Sequence, residues 1–126
     1  MPDIRMGEMM EMRRDALEKR PEWPRFIPSE AKHNLLWMIE EVGELAAILR
    51  KFGDLYIICN QKMRQHYVEE VVDVFFFLLN SMLCLGIDAD EFTEAFRRKH
   101  ERNMRRDYNA EYMALGEAIE EQYEKS

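Results

Sequence analysis

The fold is decided by residues 69–85, which read EEVVDVFFFLLNSMLCL. On a helix, the apolar side chains of this stretch cover most of the circumference and leave a narrow polar strip that includes Glu70, Asp73 and Asn80. A helix that is apolar nearly all round is buried nearly all round. In a chain of 126 residues, so much burial favours a second subunit that covers part of this helix.

The rest of the chain has the punctuation of a helical protein. It contains 5 Gly and 4 Pro, and three of the prolines lie within residues 21–28. Strands need frequent turns, so the long stretches without Gly or Pro predict helices. For a chain of 126 residues we expect a single all-α domain, a bundle of four to five helices completed by oligomerisation.

Capping and breaking residues predict where the first helices begin and end. A first helix is expected over residues 3–19, before the Pro-rich connector. Ser29 is predicted to cap a second helix that runs to about Lys51, before Gly53 interrupts it. Residues 55–61 are compatible with a short helical turn or a loop.

The remaining helices follow in the same way. A third helix is expected over residues 62–85, with Gly86 just after its end. Asp88 is predicted to cap a fourth helix that reaches about Arg106, and residues 109–124 are predicted to form a fifth.

Charge and cysteine content exclude several function classes. The net charge of −7 disfavours binding to nucleic acid or to an anionic membrane surface. Cys59 and Cys84 have no CxxC spacing and no two histidines form an HxxxH pair, which argues against zinc signatures and a disulfide framework. The N-terminus lacks the apolar stretch of a signal peptide. We therefore expect a cytoplasmic protein without a nucleic-acid or membrane partner.

Two acidic segments stand among apolar residues. Residues 40–44 read EEVGE and residues 69–73 read EEVVD, and neither segment contains a Lys or an Arg. In each segment two carboxylates are three residues apart and so point the same way on a helix. Ionised carboxylates are costly to bury unpaired, so clustered buried acids usually hold a metal ion or share protons.

Two facing antiparallel helices would bring these carboxylates together. The converging acids would be Glu41, Glu44, Glu70 and Asp73, with Glu40 at the edge. Oxygen donors without His or Cys suit Mg²⁺, with Mn²⁺ as a possible substitute, and not zinc. An ordinary solvated face is the alternative, above all for residues 40–44 taken alone.

The apolar residues of the second helix form one broad stripe. We expect this stripe to face the core and the acids to lie on the opposite face. Its members are Leu35, Met38, Ile39, Val42, Leu45, Ala46 and Leu49.

A basic segment interrupts this acidic chain at residues 97–106. Lys99, Asn103 and Arg106 stand at i, i+4 and i+7, on one helix face that could grip phosphate oxygens. Alternatively, cations near a helix C-terminus only oppose the macrodipole. Acids for a metal together with bases for phosphate suggest a polyphosphate substrate.

The order of these motifs resembles a known family. EExxE in a helix, ExxD opening an apolar helix, and Lys-x-x-x-Asn-x-x-Arg look like the motifs of the all-α nucleoside triphosphate pyrophosphohydrolases, the MazG-like enzymes. The dimeric dUTPases, the dCTP pyrophosphatases and phosphoribosyl-ATP pyrophosphohydrolase are relatives. The resemblance covers residues 29–108, and residues 34–36 with Trp23 also look like the dCTP-pyrophosphatase branch. Within one domain over residues 1–126, this leaves an N-terminal helix with its connector (1–28) and a C-terminal helix (109–126) outside it.

The resemblance implies roles for individual residues. It implies that Glu40 orients or deprotonates the attacking water and that Lys99, Asn103 and Arg106 contact phosphates. The implied metal ligands are Glu41, Glu44, Glu70 and Asp73. It also implies a homodimer or homotetramer with the active site near the subunit interface.

The base of a nucleotide would need further contacts. Asn34 and Trp37, with Trp23 and Phe26, offer the amide hydrogen bonds and stacking surfaces that suit a base, although core packing is the commoner role for any one aromatic residue.

These expectations combine into one hypothesis with two alternatives. The sequence predicts a Mg²⁺-dependent pyrophosphohydrolase that converts a (d)NTP to the (d)NMP and pyrophosphate, in house-cleaning of the nucleotide pool. A non-catalytic helical oligomerisation or nucleotide-sensing module is the first alternative. Within the enzyme class, a phosphoribosyl-ATP pyrophosphohydrolase of the histidine pathway is the second.

Overall fold

The described part of the chain, residues 2–125 in a computed structural model, is all-α. This confirms the predicted fold class, since these residues form helices and turns and no strand. A short 3₁₀ turn at Pro28–Glu30 precedes the second helix. The α-helices are α1 (Met6–Lys19), α2 (Ala31–Phe52), α3 (Asp54–Cys59), α4 (Gln61–Cys84), α5 (Ala89–Arg105) and α6 (Tyr108–Glu124).

The chain divides into two compact units, residues 1–92 and residues 93–126. The first unit contains α1 to α4 and the first turn of α5. The second unit contains the rest of α5 and α6.

The start of α2 differs from the prediction. Ser29 lies inside the 3₁₀ turn and does not cap the helix, and Glu30 at the N-cap position makes no capping bond with its side chain. The helical conformation already begins at Pro28, before Ser29, because proline favours the first position of a helical turn. In this turn the Glu30 N–H donates to the Ile27 carbonyl at 2.9 Å. At its other end α2 stops at Gly53, whose φ of +79° is a conformation that favours glycine.

The start of α1 at Met6 is later than the predicted residue 3, but two further helix ends follow the residues that predicted them. After α4, the Gly86 N–H donates to Leu83 and the Ile87 N–H donates to Met82, which is a Schellman motif around a glycine at φ +71°. Asp88 caps α5 by accepting the Glu91 N–H at 2.8 Å.

The core of the first unit lies between α1 and the C-terminal half of α4. Met10 and Leu79 are each only 1% exposed, and they pack with Met82 and Leu83. Side chains from the connector and from the segment after α4, such as Phe26, cover this cluster. The N-terminal helix is therefore an integral part of the first unit.

The face of α2 that turns toward α4 is not its apolar stripe. Asn34 is 3% exposed, whereas Ile39 is 62% and Val42 is 45% exposed. The prediction that the stripe faces the core is therefore wrong for the chain on its own. Hydrophobic periodicity shows which face needs cover, but it does not show whether the same chain or another body supplies that cover.

The N-terminal half of α4 is similarly uncovered. Val68 is 51% and Val71 is 41% exposed, although residues 79–84 at the C-terminal end of the same helix are buried. Within the described residues, no single helix is long and apolar enough to cross a membrane. Among these helices, only α4 and α5 taken together, as a bent pair, have the length and composition that a membrane span requires.

Truncation of Leu79 tests the core. Because this side chain of α4 is 1% exposed and packs with Met10 of α1, we expect Leu79→Ala to lower the free energy of unfolding by about 2–5 kcal/mol. Leu55→Ala, at a site 71% exposed, is the control and should change it by less than about 0.5 kcal/mol. Urea unfolding followed by circular dichroism measures both. Equal losses would contradict this placement of the core.

Candidate functional site

The helices α2 and α4 run antiparallel, and pairs of side chains fix their register. At one end the Asn80 Nδ2 donates to the Asn34 Oδ1 at 3.2 Å. One turn further along, the rings of Trp37 and Phe77 lie 5.9 Å apart between centroids. This register brings the acidic residues of both helices to the same level.

Three carboxylates converge between the two helices. One oxygen from each of Glu41, Glu44 and Glu70 lies within 4.8 Å of the others. Glu41 and Glu70 are half-buried and Glu44 is exposed, so the group opens to solvent on one side. No Lys or Arg forms a salt bridge with any of the three within residues 2–125.

The electrostatics of the group are those of three carboxylates with no Lys or Arg paired to them among residues 2–125. Burial, hydrogen bonding with Glu70 and Glu44, and the charges of those two acids together raise the pKa of the Glu41 carboxyl to about 7, with burial as the largest cause. The Glu70 Oε2 is fully buried and has no hydrogen-bond partner among the described residues. Without a cation, Glu41 therefore stays mostly protonated until the pH reaches about 7.

These residues fit a hard divalent cation. The donor set is three carboxylates, the ligand type that Mg²⁺ and Mn²⁺ prefer. A cation among them would give the orphaned Glu70 oxygen a partner and would favour the ionised form of Glu41. The acids form a candidate metal centre on these grounds.

Two other predicted acids lie apart from this group. Asp73 is half-buried on α4, and its charge acts on the Arg13 guanidinium of α1, where it opposes the lowering of the arginine pKa by burial. Asp73 is not among the three residues whose oxygens converge, so its role as a ligand stays a prediction. Glu40 is exposed beside the group, and its catalytic role also stays a prediction.

The contact between α2 and α4 forms a seam that runs along both helices. A cavity of about 220 Å³ opens at the Asn34 end of this seam. Its surface is mostly aromatic and aliphatic, with two amides and one guanidinium. The lining residues are Arg13, Leu17, Trp23, Pro24, Phe26, Asn34, Trp37, Phe77 and Asn80. We call this cavity the ring pocket, because flat aromatic walls with few polar groups suit a planar ring.

A chain of hydrogen bonds holds the polar wall of the ring pocket. The Arg13 Nε donates to the Asn80 Oδ1 at 3.1 Å, and Asn80 donates in turn to Asn34. The Asn34 Nδ2 donates to the Glu30 carbonyl at 2.9 Å. The guanidinium of Arg13 also lies 4.1 Å from the centre of the Phe76 ring. These bonds fix which atom of each amide faces which neighbour.

Four of the pocket residues were predicted from the sequence, and others were not. Asn34, Trp37, Trp23 and Phe26 were expected to contact a base, and all of them line the pocket. No sequence signal predicted Arg13 as a pocket residue, because its partner Asn80 lies 67 residues further along the chain. Asn80 did give one, since a polar residue in an apolar helix needs a buried partner.

The predicted phosphate-binding residues belong to the second unit. Lys99 is exposed and Asn103 is half-buried on α5, and Arg106 follows the last residue of that helix. The Arg106 guanidinium donates to both carboxylate oxygens of Glu111, at 3.0 and 2.6 Å, which raises the pKa of the arginine. It also lies 4.6 Å from the centre of the Tyr108 ring. A phosphate at Arg106 would therefore compete with Glu111, and the role of these residues stays a prediction.

Comparison with protein families shows a match over most of the chain. The family model described as phosphoribosyl-ATP pyrophosphohydrolase (PRA-PH) matches residues 7–100. The match includes α1, both acidic segments and Lys99, and it ends before Asn103 and Arg106. Searches of curated proteins and of solved structures found no match.

The cluster of Glu41, Glu44 and Glu70, which we call the acid group, should make the free energy of unfolding depend on pH. The pKa of Glu41 is about 7 in the folded protein against 4.5 for the ordinary carboxyl, so the folded chain binds more protons between these pH values. The contribution that this bound proton makes to the free energy of unfolding is therefore lost as the pH rises from 4.5 to about 7. We expect metal-free protein in EDTA to show this loss in urea unfolding.

Matched variants separate this effect from the rest of the titration. Glu41→Gln should flatten the slope over that interval, because the amide does not titrate. Glu69→Gln, which removes an exposed acid outside the group, should leave the slope as it is. Identical slopes in the wild type and in Glu41→Gln would contradict the shared proton.

Proposed function

Because this chain belongs to the phosphoribosyl-ATP pyrophosphohydrolase family, within the MazG-like all-α pyrophosphohydrolases, we propose that it hydrolyses the α–β phosphoanhydride of a nucleotide with the help of Mg²⁺. The observation that carries the proposal is the convergence of Glu41, Glu44 and Glu70, with one carboxylate oxygen buried and unpartnered. The products are the nucleoside monophosphate part and pyrophosphate.

We propose phosphoribosyl-ATP as the first candidate substrate, which would assign the protein to a step of histidine biosynthesis. The family match supports this substrate over a generic (d)NTP, and the ring pocket supports a nucleotide of either kind. The pocket volume of about 220 Å³ lies below the range of roughly 300–1,000 Å³ for whole drug-sized ligands, so it suits the base and not the whole nucleotide.

The carboxylates of the seam would hold the metal. Glu41, Glu44 and Glu70 are the proposed ligands, with Asp73 as a further one. Bound there, Mg²⁺ would neutralise phosphate charge and acidify a bound water. Every other step falls to residues of this chain.

The reaction is an in-line displacement at phosphorus. The water oxygen forms a bond to one of the two phosphorus atoms that share the α–β bridging oxygen, and the bond from that phosphorus to its leaving oxygen breaks with its electron pair. Glu40, an exposed carboxylate beside the ligands, is the proposed acceptor of the water proton. Lys99 and Arg106 are proposed to neutralise phosphate charge, and Asn103 is proposed to donate a hydrogen bond to a phosphate oxygen.

Asn34 and Trp37 are proposed to contact the base. Trp37 offers a ring face in the pocket, and the amide of Asn34 is held in place by Glu30 and Asn80. A fixed amide discriminates between bases because a wrongly placed donor or acceptor would stay unpaired.

We further propose that two or more copies of the chain associate through the uncovered apolar stripe of α2. Ile39 and Val42 are 62% and 45% exposed, and Val68 and Val71 on α4 are exposed as well. Leaving contiguous apolar surface in water is unfavourable, and a second copy offers the same surface in return.

A substrate panel tests the proposed reaction. We expect pyrophosphate release with Mg²⁺ from phosphoribosyl-ATP at the highest kcat/KM, compared with ATP, dCTP and dUTP. Preference for a (d)NTP would point to nucleotide-pool cleaning, and release of orthophosphate only would contradict the mechanism. Nucleotide binding that raises the Tm without any turnover would instead favour a sensing module.

Variants of the acids test the metal centre within that reaction. Glu70→Gln should lower kcat/KM at least about a hundredfold, because it weakens the hold on a cation that stabilises the transition state. Glu69→Gln, its exposed neighbour on α4, is the matched control and should stay within about twofold. Similar losses in both variants would argue against a specific site.

A charge placed on the α2 stripe tests the association. Ile39→Lys should shift the protein to a smaller species in sedimentation velocity, because a buried ammonium is costly at an interface. Met12→Lys introduces the same charge at a side chain that is 60% exposed on α1 and should leave the distribution unchanged. A monomeric wild type would contradict the proposed association.

A further inference from the structure

The seam between α2 and α4 changes chemical character along its length. At one end lie the paired amides of Asn34 and Asn80, followed by the ring contact of Trp37 with Phe77. The three carboxylates come next along the seam. This order follows from the antiparallel register, since each step is one helical turn on both helices.

The far end of the seam carries a lysine and a histidine beside the acids. A second cavity, of about 240 Å³, is open to solvent and is lined by Lys51 and His66 together with Glu44 and Glu70 of the acid group. Lys51 is exposed in the last turn of α2 and forms no salt bridge within the part of the chain that the structure describes. Its ammonium group is therefore available to an incoming anion.

The two ends suit different parts of a nucleotide. The ring pocket has aromatic walls and a guanidinium already engaged, because the Arg13 Nε donates to Asn80 and its plane lies over Phe76. The second cavity offers an ammonium, which binds phosphate as a point charge with three donors. Phosphates at the ring end would instead meet mostly apolar walls and a guanidinium whose Nε already donates to Asn80.

We propose that the substrate lies along this seam with its base at the Asn34 end and its β- and γ-phosphates at the Lys51 end. Lys51 then contacts the pyrophosphate as it leaves, with a ring N–H of His66 as a second donor. This inference rests on the proposed pyrophosphohydrolase activity and gives it a direction. The acids lie between the two ends, at the level of the bond that breaks.

Product inhibition tests the direction. In Lys51→Ala, the inhibition constant of pyrophosphate with Mg²⁺ should rise about ten- to a hundredfold, because a charge-assisted hydrogen bond is lost. The inhibition constant of the monophosphate product should change less than about twofold, since that product lies at the other end. Lys51→Arg should recover part of the pyrophosphate affinity.

Arg50→Ala is the matched control. Arg50 is the neighbouring exposed cation on α2 and does not line the cavity, so both inhibition constants should stay as in the wild type. A rise for the monophosphate alone in Lys51→Ala would reverse the direction, and unchanged constants for both products would remove Lys51 from the site. Either result would overturn the inference.

Failure of the proposed function can be told apart from failure of this inference. If the wild type releases no pyrophosphate from any substrate, titration calorimetry of pyrophosphate with Mg²⁺ still compares the wild type with Lys51→Ala. Weaker binding in the variant would retain a phosphate site at Lys51. Equal binding would overturn it.

Discussion

The packing of α2 against α4 forces like charges together, and the rest of the first unit depends on how that constraint is met. Oxygens of Glu41, Glu44 and Glu70 lie within 4.8 Å of one another. Three ionised carboxylates at such distances repel, and the protein alone answers with a proton on Glu41. A bound cation would replace that proton and satisfy the buried oxygen of Glu70.

Interactions elsewhere along the seam hold this arrangement in register. The chain of hydrogen bonds from Arg13 through Asn80 to Asn34 links α1, α4 and α2. Each of these buried polar groups has a partner, so breaking one bond would leave another unsatisfied at a cost of about 1–3 kcal/mol. The network also shapes the ring pocket. Packing of Met10 on Leu79 anchors α1, which in turn places Arg13.

Much of this could be predicted from the sequence, because it depends on local spacing. The i, i+3 pairs on two helices predicted that Glu41, Glu44 and Glu70 would converge, and glycine and aspartate predicted the ends of α4 and the start of α5. The ring pocket could be foreseen only in part, because Arg13 reaches Asn80 across 67 residues. The prediction that the apolar stripe of α2 faces the core was wrong, because hydrophobic periodicity does not show what covers a helix face. Asp73 shares the spacing of the other acids, yet on α4 its charge acts on Arg13.

The three carboxylates are proposed to form a cation site that exchanges a proton for a metal ion. Titration calorimetry of Mg²⁺ into metal-free protein, at pH 7 and in buffers of different ionisation enthalpy, measures both events at once. We predict saturable binding with release of up to about one proton, and no proton release in Glu41→Gln. Absence of Mg²⁺ binding, or binding with the same proton release in Glu41→Gln, would contradict the claim.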